Sequence, residues 1–189
     1  MPSVAIVPAA GKGERFGGAK LTAPVGGETM LDRTLASLLD GGVDRVVVVI
    51  APAADLSRVS RLSDSRVSTI VNDDPSRGMF SSIQAGAAAI AGHPILVLPG
   101  DMPFVSSRTI RDVLHACSEH QRVVIPTHHG KGGHPLAFPG VLREQVLHAA
   151  PTGTLKDALS SALALRYEMP AGDAGVLHDV DVQADLDRP

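Results

Sequence analysis

The segment best suited to chemistry in this chain of 189 residues is AAGKGERFGGAK, residues 9–20, called here the glycine loop. Glycines let a backbone approach phosphate oxygens closely, and successive N–H groups can form a nest that binds an anion. Lys12, Arg15 and Lys20 add three cations to the same loop. The glycine loop therefore predicts a phosphate-binding site, although such a loop on its own can also be a simple connection.

The glycine loop matches neither of two common nucleotide-binding motifs. A P-loop ends in Gly-Lys-Ser/Thr, whereas this loop ends in Gly-Gly-Ala-Lys. The dinucleotide fingerprint G-x-G-x-x-G fails because its third glycine, Gly17, comes one residue late. No acidic residue follows the next predicted strand in the ribose-binding position, since Ile50 leads to Ala51 and Pro52. A nicotinamide-dependent oxidoreductase is therefore the less favoured interpretation.

Carboxylates occur at two further places where they could bind a metal ion. Asp101 comes shortly after the apolar run at residues 95–98, and Asp179 and Asp181 lie in the tail segment HDVDVQADL, residues 178–186. Proteins hold Mg²⁺ through one or two carboxylates together with substrate phosphates. Asp101 and one tail aspartate could form such a site; the alternative is that Asp101 only caps the following turn.

Two more segments place polar residues in loops. The segment SRGMFSS, residues 76–82, ends in two serines that could cap a following helix or leave N–H groups free for an oxygen of a nucleotide. The segment HHGKGGHP, residues 128–135, is a glycine-rich turn with three histidines. Zinc binding is conceivable there, but no second cluster has zinc-ligand spacing, so a hairpin turn is favoured.

Short apolar runs bounded by Gly, Pro or Asp predict the strands that position these loops. Continuous runs of this kind are typical of strands buried on both faces of a parallel sheet. Helical spacing of apolar residues predicts helices between them. The predicted strands cover residues 4–7, 43–50, 67–71, 95–98 and 123–126, and the predicted helices cover residues 29–41, 53–62, 81–90 and 106–120.

The alternation of strand and helix predicts an α/β fold, a three-layer α/β/α Rossmann-like sandwich with a mostly parallel, twisted sheet. In such sheets ligands bind at the carboxyl ends of the strands, so the glycine loop and Asp101 should share one edge. We find no linker or internal repeat and expect one domain over residues 1–189. After residue 126 the pattern predicts strands at 134–138, 164–169 and 175–180, and helices at 141–149 and 154–163.

Composition and charge narrow the possible functions. The chain has no Trp, one Tyr and four Phe, so it does not suit a protein that stacks bases on aromatic rings. A net charge of −3 argues against broad binding to nucleic acids or membranes. The charges are uneven, because residues 11–20 are mainly basic and the tail from Glu168 is mainly acidic. The basic loop and the acidic tail could be electrostatic partners, or lie on two sides of a metal–phosphate site.

The sequence also favours a cytoplasmic location for the protein. The one cysteine, Cys117, has no partner within the chain for a disulfide, which fits a reducing compartment, and we expect a buried inert thiol. Residues 1–18 lack the features of a signal peptide, and no apolar run is long enough to cross a bilayer. We therefore expect no membrane partner.

Five motifs, in order from residue 7 to 186, resemble those of one enzyme family. VPAAGKGERFGGAK resembles the signature loop of the MobA-like NTP transferases, the nucleotidyltransferases with the molybdenum-cofactor nucleotidyltransferase type of fold. GDMPFV resembles the metal-binding motif of the molybdenum cofactor cytidylyltransferases, and GMFSSIQAG resembles their nucleotide-contacting motif. GHP, residues 133–135, is similar to the acceptor-side loop, and HDVDVQADL is similar to the closing motif, with Val182 and Gln183 in place of the usual Thr-Pro.

The resemblance implies a Mg²⁺-dependent transfer of CMP from CTP to a small phosphorylated acceptor of the molybdopterin type, with release of pyrophosphate. A molybdoenzyme or its chaperone would be the protein partner. The Ala-Ala-Gly start favours a cytidylyltransferase, since the guanylyltransferase branch typically has Ala-Gly-Gly. Alternatives with the same fold are a guanylyltransferase or an isoprenoid-pathway cytidylyltransferase. Alternatives of another class are an NAD(P)H-dependent oxidoreductase of the nicotine blue type and a catalytically silent nucleotide-binding protein.

The resemblance also implies roles for individual residues. Arg15, Lys20 and Asp101 would be catalytic, with Arg15 on the β,γ-phosphates and Lys20 at the α-phosphate. Asp101 and Asp181 would bind the metal, with Asp179 as the substitute for Asp181. The implied nucleotide-binding residues are Ala9, Ala10, Gly11, Lys12, Gly13, Arg15, Lys20, Gly78, Met79, Ser81 and Ser82; the implied acceptor-binding residues are Gly133, His134 and Pro135, with Lys131 near the acceptor phosphate.

Overall fold

The computed structural model describes residues 1–11, 13 and 16–187, except for the side chain of Asp187. The strands are β1 (Val4–Ala9), β2 (Pro24–Val25), β3 (Glu28–Thr29), β4 (Arg45–Ile50), β5 (Val67–Val71), β6 (Ile95–Val97), β7 (Val124–His128), β8 (Lys131–Gly132), β9 (Leu136–Phe138) and β10 (Tyr167–Pro170). The α-helices are α1 (Met30–Asp40), α2 (Met79–Ala88), α3 (Ser107–His120), α4 (Arg143–His148), α5 (Leu155–Ala158) and α6 (Ser160–Leu163).

A central sheet runs in the order β10-β7-β9-β6-β1-β4-β5, with β8 paired to β7. Strand β1 pairs in parallel with both β4 and β6, and β4 pairs in parallel with β5. Strand β9 is antiparallel to its neighbours β6 and β7. The prediction of a mostly parallel sheet is confirmed, and the carboxyl ends of β5, β4, β1 and β6 lie side by side at one edge.

Helices cover both faces of this sheet, as the three-layer prediction requires. Side chains of β1 alternate between the faces, because successive residues of a strand point in opposite directions. Ala5 and Val7 pack with α1 and α3, whereas Val4 and Ile6 pack with α2 and α4. The sheet is therefore the buried middle layer of the fold.

The starts of α1 and α3 follow the capping rules. The Thr29 hydroxyl accepts a hydrogen bond from the Asp32 N–H, and the Ser106 hydroxyl accepts one from the Thr109 N–H. Cys117 of α3 is fully buried, and burial raises the pKa of its thiol to about 12, which confirms the expectation of an inert thiol. Among the described residues, we find no helix whose length and hydropathy would let it cross a membrane.

The prediction of a helix at residues 53–62 is wrong. The segment forms turns and ends in a 3-10 helix, Ser60–Ser63. The carboxylate of Asp55 accepts hydrogen bonds from both the N–H and the hydroxyl of Ser57, at 3.1 and 2.7 Å. This local turn competes with helix formation, because it offers the backbone another partner for its N–H groups.

The prediction of a strand at residues 175–180 is also wrong. The segment begins as a 3-10 helix, Ala174–Leu177, because the Asp173 carboxylate accepts the Gly175 N–H and turns the chain. The predicted helix at 154–163 is divided into α5 and α6, and the predicted strand at 164–169 starts later, at Tyr167. Elements in the second half of the chain are thus shorter and more interrupted than the apolar pattern indicates.

Asp32 links α1 to the segment that follows β4. Its buried carboxylate accepts hydrogen bonds from the Thr29 hydroxyl at 2.8 Å and from the Arg61 N–H at 2.8 Å. It also accepts one from the Ser60 hydroxyl at 3.2 Å. Burial by itself would raise the pKa of Asp32, but these hydrogen bonds outweigh burial and hold the pKa below its usual value.

The lowered pKa gives Asp32→Asn a pH-dependent effect. A carboxyl whose pKa is lower in the folded state stabilises the fold above its unfolded pKa, about 3.9, and this contribution is lost as the pH falls through the folded pKa. We expect Asp32→Asn to lower the free energy of unfolding at pH 7 by about 1–3 kcal/mol. Urea unfolding from pH 7 to pH 2.5 should show the deficit shrinking; an equal deficit throughout would contradict the assignment. Asp40→Asn, at the exposed end of the same helix, is the control.

Candidate active site

The glycine loop leaves the carboxyl end of β1 and turns back on itself. Gly13, Gly17 and Gly18 have φ values of +60°, +91° and +91°, which residues other than glycine rarely adopt. The carbonyl oxygen of Gly13 accepts hydrogen bonds from the N–H groups of Phe16 and Gly18, at 3.0 and 3.2 Å. Lys12 and Arg15, two cations predicted to bind the nucleotide, lie outside the described residues.

A cavity of about 560 Å³ opens beside the glycine loop at the carboxyl edge of the sheet. The loop forms one wall, and Lys20 and Asp101 lie at the end near β6. Residues 53–56, after β4, form a further wall, and Gly78, Met79 and Ser82 of the α2 start close the cavity. The two loops expected to meet at one edge therefore do so. The wall at 53–56 was missed from the sequence, where the segment was predicted as helix; its place directly after a buried strand was the available signal.

Lys20 joins the glycine loop to two carboxylates. Its Nζ lies 2.6 Å from Asp101 Oδ2 and 3.3 Å from Asp181 Oδ1. The exposed fractions of the three side chains are 12 % for Lys20, 25 % for Asp101 and 37 % for Asp181, so these pairs are only partly screened by solvent. The structure thus brings together three residues that are far apart in sequence, and Lys20 of the basic loop pairs with Asp181 of the acidic tail, which agrees with the first of the two arrangements expected from the sequence.

The tail reaches the site through Val180. This residue is fully buried with Phe16 and Met30, and its N–H donates a hydrogen bond of 3.0 Å to the carbonyl oxygen of Asp101. The next residue, Asp181, is thereby placed at Lys20. Asp179 is exposed. Of the two tail aspartates weighed from the sequence, Asp181 is the one that meets the Lys20 ammonium.

The serines at the start of α2 do not cap it. The N-cap residue is Gly78, with φ of +89° and no side-chain cap. The Ser81 and Ser82 hydroxyls are buried and accept hydrogen bonds from the Asn72 side-chain amide at 2.8 and 3.0 Å, while Ser81 Oγ also lies 2.7 Å from the Gly78 carbonyl oxygen. The capping interpretation is therefore wrong, because both hydroxyls accept hydrogen bonds from the side-chain amide of Asn72, the residue after β5. Asn72 holds the start of α2 against the cavity.

Residues 128–135 form the favoured hairpin, with β7 paired to β8. The imidazole Nδ1 of His128 lies 3.1 Å from the carbonyl oxygen of Ala171. In the described ranges, 1–11, 13 and 16–187, no group of three or more His, Cys, Asp or Glu side chains could hold a metal ion. The structure therefore gives no zinc site among these histidines.

The predicted acceptor loop, Gly133, His134 and Pro135, lies outside the lining of the 560 Å³ cavity. The backbone N–H of His134 donates a hydrogen bond of 2.8 Å to the Val176 carbonyl, and its Nδ1 lies 3.4 Å from the Val97 carbonyl. Burial lowers the pKa of His134, and the Val97 carbonyl and the charges of Asp101 and Asp179 only partly oppose it. The imidazole is therefore neutral at pH 7.

The two carboxylates beside Lys20 show whether this site suits a metal ion. Two carboxylates already converge on one cation there, at the edge of a cavity lined in part by the glycine loop. Two carboxylates are too few for a protein-only cage but suit Mg²⁺, which retains waters and takes the remaining ligands from substrate phosphates. Asp101 and Asp181 therefore fit a divalent metal ion that binds together with a phosphorylated ligand.

Comparisons with known proteins place this geometry in a family. The family model for the MobA-like NTP transferase domain matches residues 5–167. The molybdenum cofactor cytidylyltransferase of Escherichia coli is 23% identical over 96% of this chain and 92% of its own. The phosphoenolpyruvate guanylyltransferase of Geodermatophilus obscurus is 28% identical over 83% of this chain and 68% of its own. The nicotine blue oxidoreductase of Paenarthrobacter nicotinovorans is 38% identical, but over only 56% of this chain and 52% of its own.

Solved structures show the same fold over nearly the whole chain. A nucleotidyl transferase from Methanothermobacter superposes with a TM-score of 0.79 at 28% identity, covering 97% of this chain and 94% of its own. Rv0371c of Mycobacterium tuberculosis, in its complex with manganese, superposes with a TM-score of 0.74 at 21% identity, covering 98% and 96%. The match of the family model over most of the chain is decisive: the chain belongs to the family of MobA-like NTP transferase domains.

Proposed function

We propose that the chain transfers CMP from CTP to a small phosphorylated acceptor of the molybdopterin type, with Mg²⁺ and with release of pyrophosphate. The observation that carries the proposal is the convergence of Lys20, Asp101 and Asp181 beside the glycine-loop cavity. Both substrates are anionic, so a catalyst must neutralise charge and align them. A cation and two potential metal ligands beside a glycine-rich loop are suited to that task.

In the proposed reaction a phosphate oxygen of the acceptor forms a bond to the α-phosphorus of CTP. The bond from the α-phosphorus to the α,β-bridging oxygen breaks, and pyrophosphate leaves with its electron pair. Lys20 stabilises the charge that grows on the α-phosphate, and the N–H groups of the glycine loop, with Arg15, hold the departing phosphates. Asp101 and Asp181 would hold Mg²⁺, which supplies positive charge to the phosphate oxygens when bound. No side chain has to act as a covalent nucleophile.

Cytosine is the proposed base because the cavity offers small groups rather than aromatic rings. Ala9, Ala10, Gly78 and Ser82 line it, together with the half-exposed side chain of Met79. The printed name of the Escherichia coli relative, a cytidylyltransferase, supports this choice, and the guanylyltransferase relative keeps GTP as the alternative.

Thermal shift with Mg²⁺ and each nucleotide tests the choice of base. A ligand that binds only the folded state at about 100 times its Kd stabilises by about 2.7 kcal/mol, which corresponds to a rise in Tm of about 5–10 °C for a chain of this size. We expect this rise with CTP and a smaller one with GTP or ATP at equal concentration. A larger shift with GTP would contradict the cytidylyl assignment.

A second candidate function rests on the match to the nicotine blue oxidoreductase, which has the higher identity over a shorter segment. The late Gly17 and the sequence Ile50-Ala51-Pro52 after β4 both depart from a nicotinamide dinucleotide site. Loss of NAD(P)H absorbance with a quinone-like pigment, in the absence of any nucleoside triphosphate, would favour this candidate over nucleotidyl transfer.

A further inference from the structure

The segment that delivers Asp181 to the site, residues 173–181, is called here the strap. It begins after β10 and passes between two loops of the site region. On one side the Val176 carbonyl accepts the His134 N–H at 2.8 Å, and on the other the Val180 N–H donates to the Asp101 carbonyl at 3.0 Å. Val176 and Val180 are both fully buried. The strap is thus held along its length, and Asp181 follows its last buried residue.

The strap fits its neighbours so closely that a methyl group would not be accommodated. A Cβ added to Gly175 would lie 2.1 Å from the carbonyl oxygen of Phe104, and one added to Gly133 would lie 2.1 Å from the carbonyl oxygen of Val176. Both contacts are with backbone atoms, which cannot move aside as a flexible side chain can. The distance between the strap and the loop that carries Asp101 is therefore fixed within narrow limits.

Hydrogen bonds of Asp173 connect the beginning of the strap to the beginning of α3. Its Oδ2 accepts hydrogen bonds from the Ser106 N–H at 2.9 Å and the Thr109 hydroxyl at 2.6 Å, and its Oδ1 accepts the Gly175 N–H at 2.9 Å. Burial by itself would raise the pKa of this carboxyl, but hydrogen bonds, chiefly from Thr109 and Ser106, hold the pKa below its usual value. The carboxylate therefore stays ionised at neutral pH and keeps all three contacts.

Asp173 is not needed to cap α3. The Ser106 hydroxyl already caps that helix by accepting the Thr109 N–H at 3.2 Å. What Asp173 adds is a connection between two distant parts of the chain: the strap, which leads to Asp181, and residue 106, which follows the loop of Asp101. Its removal should release the strap while α3 keeps its own cap.

We propose that Asp173 is a positioning residue for the metal site, and that its carboxylate sets the strap so that Asp181 faces Asp101 across the position of the Lys20 ammonium. This inference rests on the proposed function, because it takes Asp101 and Asp181 to be the metal ligands. Asp173 itself is not among the residues that line the 560 Å³ cavity beside the glycine loop. Residues that orient metal ligands typically contribute about 10–100-fold to metal affinity.

The test compares Asp173→Asn with Asp157→Asn. Asp157 is a matched control, because its carboxylate also joins a side-chain hydroxyl and a backbone N–H, those of Thr154, but in a capping box at the start of α5. Mn²⁺ is titrated by electron paramagnetic resonance at saturating CTP, and amide hydrogen exchange is followed at Val180. We expect Asp173→Asn to weaken Mn²⁺ binding about tenfold or more and to speed exchange at Val180, with metal-free CTP affinity within about twofold of wild type. Asp157→Asn should match the wild type in all three.

Unchanged Mn²⁺ affinity and unchanged protection of Val180 in folded Asp173→Asn would overturn the inference. Asp181→Asn separates this failure from failure of the proposed function: if it binds Mn²⁺ as the wild type does, the metal site itself is wrong. If Asp181→Asn binds weakly and Asp173→Asn normally, only the positioning role is wrong. Should circular dichroism show that Asp173→Asn is unfolded, Thr109→Val removes the hydrogen bond of 2.6 Å while leaving the carboxylate, and is judged by the same two measurements.

Discussion

Asp101→Ala is expected to lower the rate of pyrophosphate release at least about 10²-fold, the scale of loss when one charge stabiliser of a transition state is removed. Asp101 lies in the loop after β6, 2.6 Å from Lys20 and beside the cavity, so its removal takes away one of the two carboxylates that meet the Lys20 ammonium. The measurement is a steady-state pyrophosphate assay with CTP, Mg²⁺ and molybdopterin as acceptor. Part of the lost rate should return at high Mg²⁺, because the remaining Asp181 still attracts a metal ion.

The control for this prediction is Asp112→Ala. Asp112 is an exposed residue of α3 whose ion pair is with Arg108, four residues away on the same helix, at 3.7 Å. An exposed pair of this kind contributes little to stability, so the variant should fold and turn over normally. A near-normal rate for Asp101→Ala would contradict the metal assignment.

Lys20→Met is expected to lower turnover by a similar factor, about 10²-fold or more, but with the opposite effect on metal binding. The ammonium now lies between Asp101 and Asp181, at 2.6 and 3.3 Å. Its removal leaves two carboxylates facing one another, and like charges at short distance favour an added cation. Mn²⁺ should therefore bind more tightly in the absence of nucleotide, while catalysis falls for want of the charge at the α-phosphate.

Lower turnover together with tighter Mn²⁺ binding distinguishes the loss of a catalytic charge from the loss of loop structure. A variant that merely loosened the loop would lose both turnover and metal affinity. Mn²⁺ titration without nucleotide, together with the pyrophosphate assay, distinguishes the cases. Weaker Mn²⁺ binding in Lys20→Met, or turnover like that of the wild type, would show that Lys20 does not have the role proposed here.

The parts of the fold that could be predicted from the sequence are those set by local pattern. Buried strands such as β4, with the sequence RVVVVI, are apolar throughout because both faces are covered. The start of α3 is capped by Ser106 as its sequence indicates. The glycine loop and Asp101 could be placed at one edge because parallel strands end together, whatever their exact order in the sheet.

The parts that could not be predicted depend on contacts between distant residues. The hydroxyls of Ser81 and Ser82 looked available for capping, and only the fold brings the Asn72 amide to them. Residues 175–180 resemble a strand in their apolar pattern, but Asp173 ties this part of the chain to Ser106 and Thr109. Neither partner is visible in a local window of sequence, so the local pattern predicted helix α2 correctly but gave it the wrong cap, and predicted a strand at 175–180 where a 3-10 helix begins.

The most direct test of the central claim is the mass of the acceptor after reaction. The protein is incubated with molybdopterin, Mg²⁺ and either CTP or GTP, and the acceptor is analysed by mass spectrometry while pyrophosphate is measured in the same sample. The account predicts an acceptor that gains one CMP unit for each pyrophosphate released, with CTP preferred and with product formation by Asp101→Ala lowered at least about 10²-fold. An unchanged acceptor and no pyrophosphate with either nucleotide, together with oxidation of NAD(P)H by a pigment substrate, would contradict it.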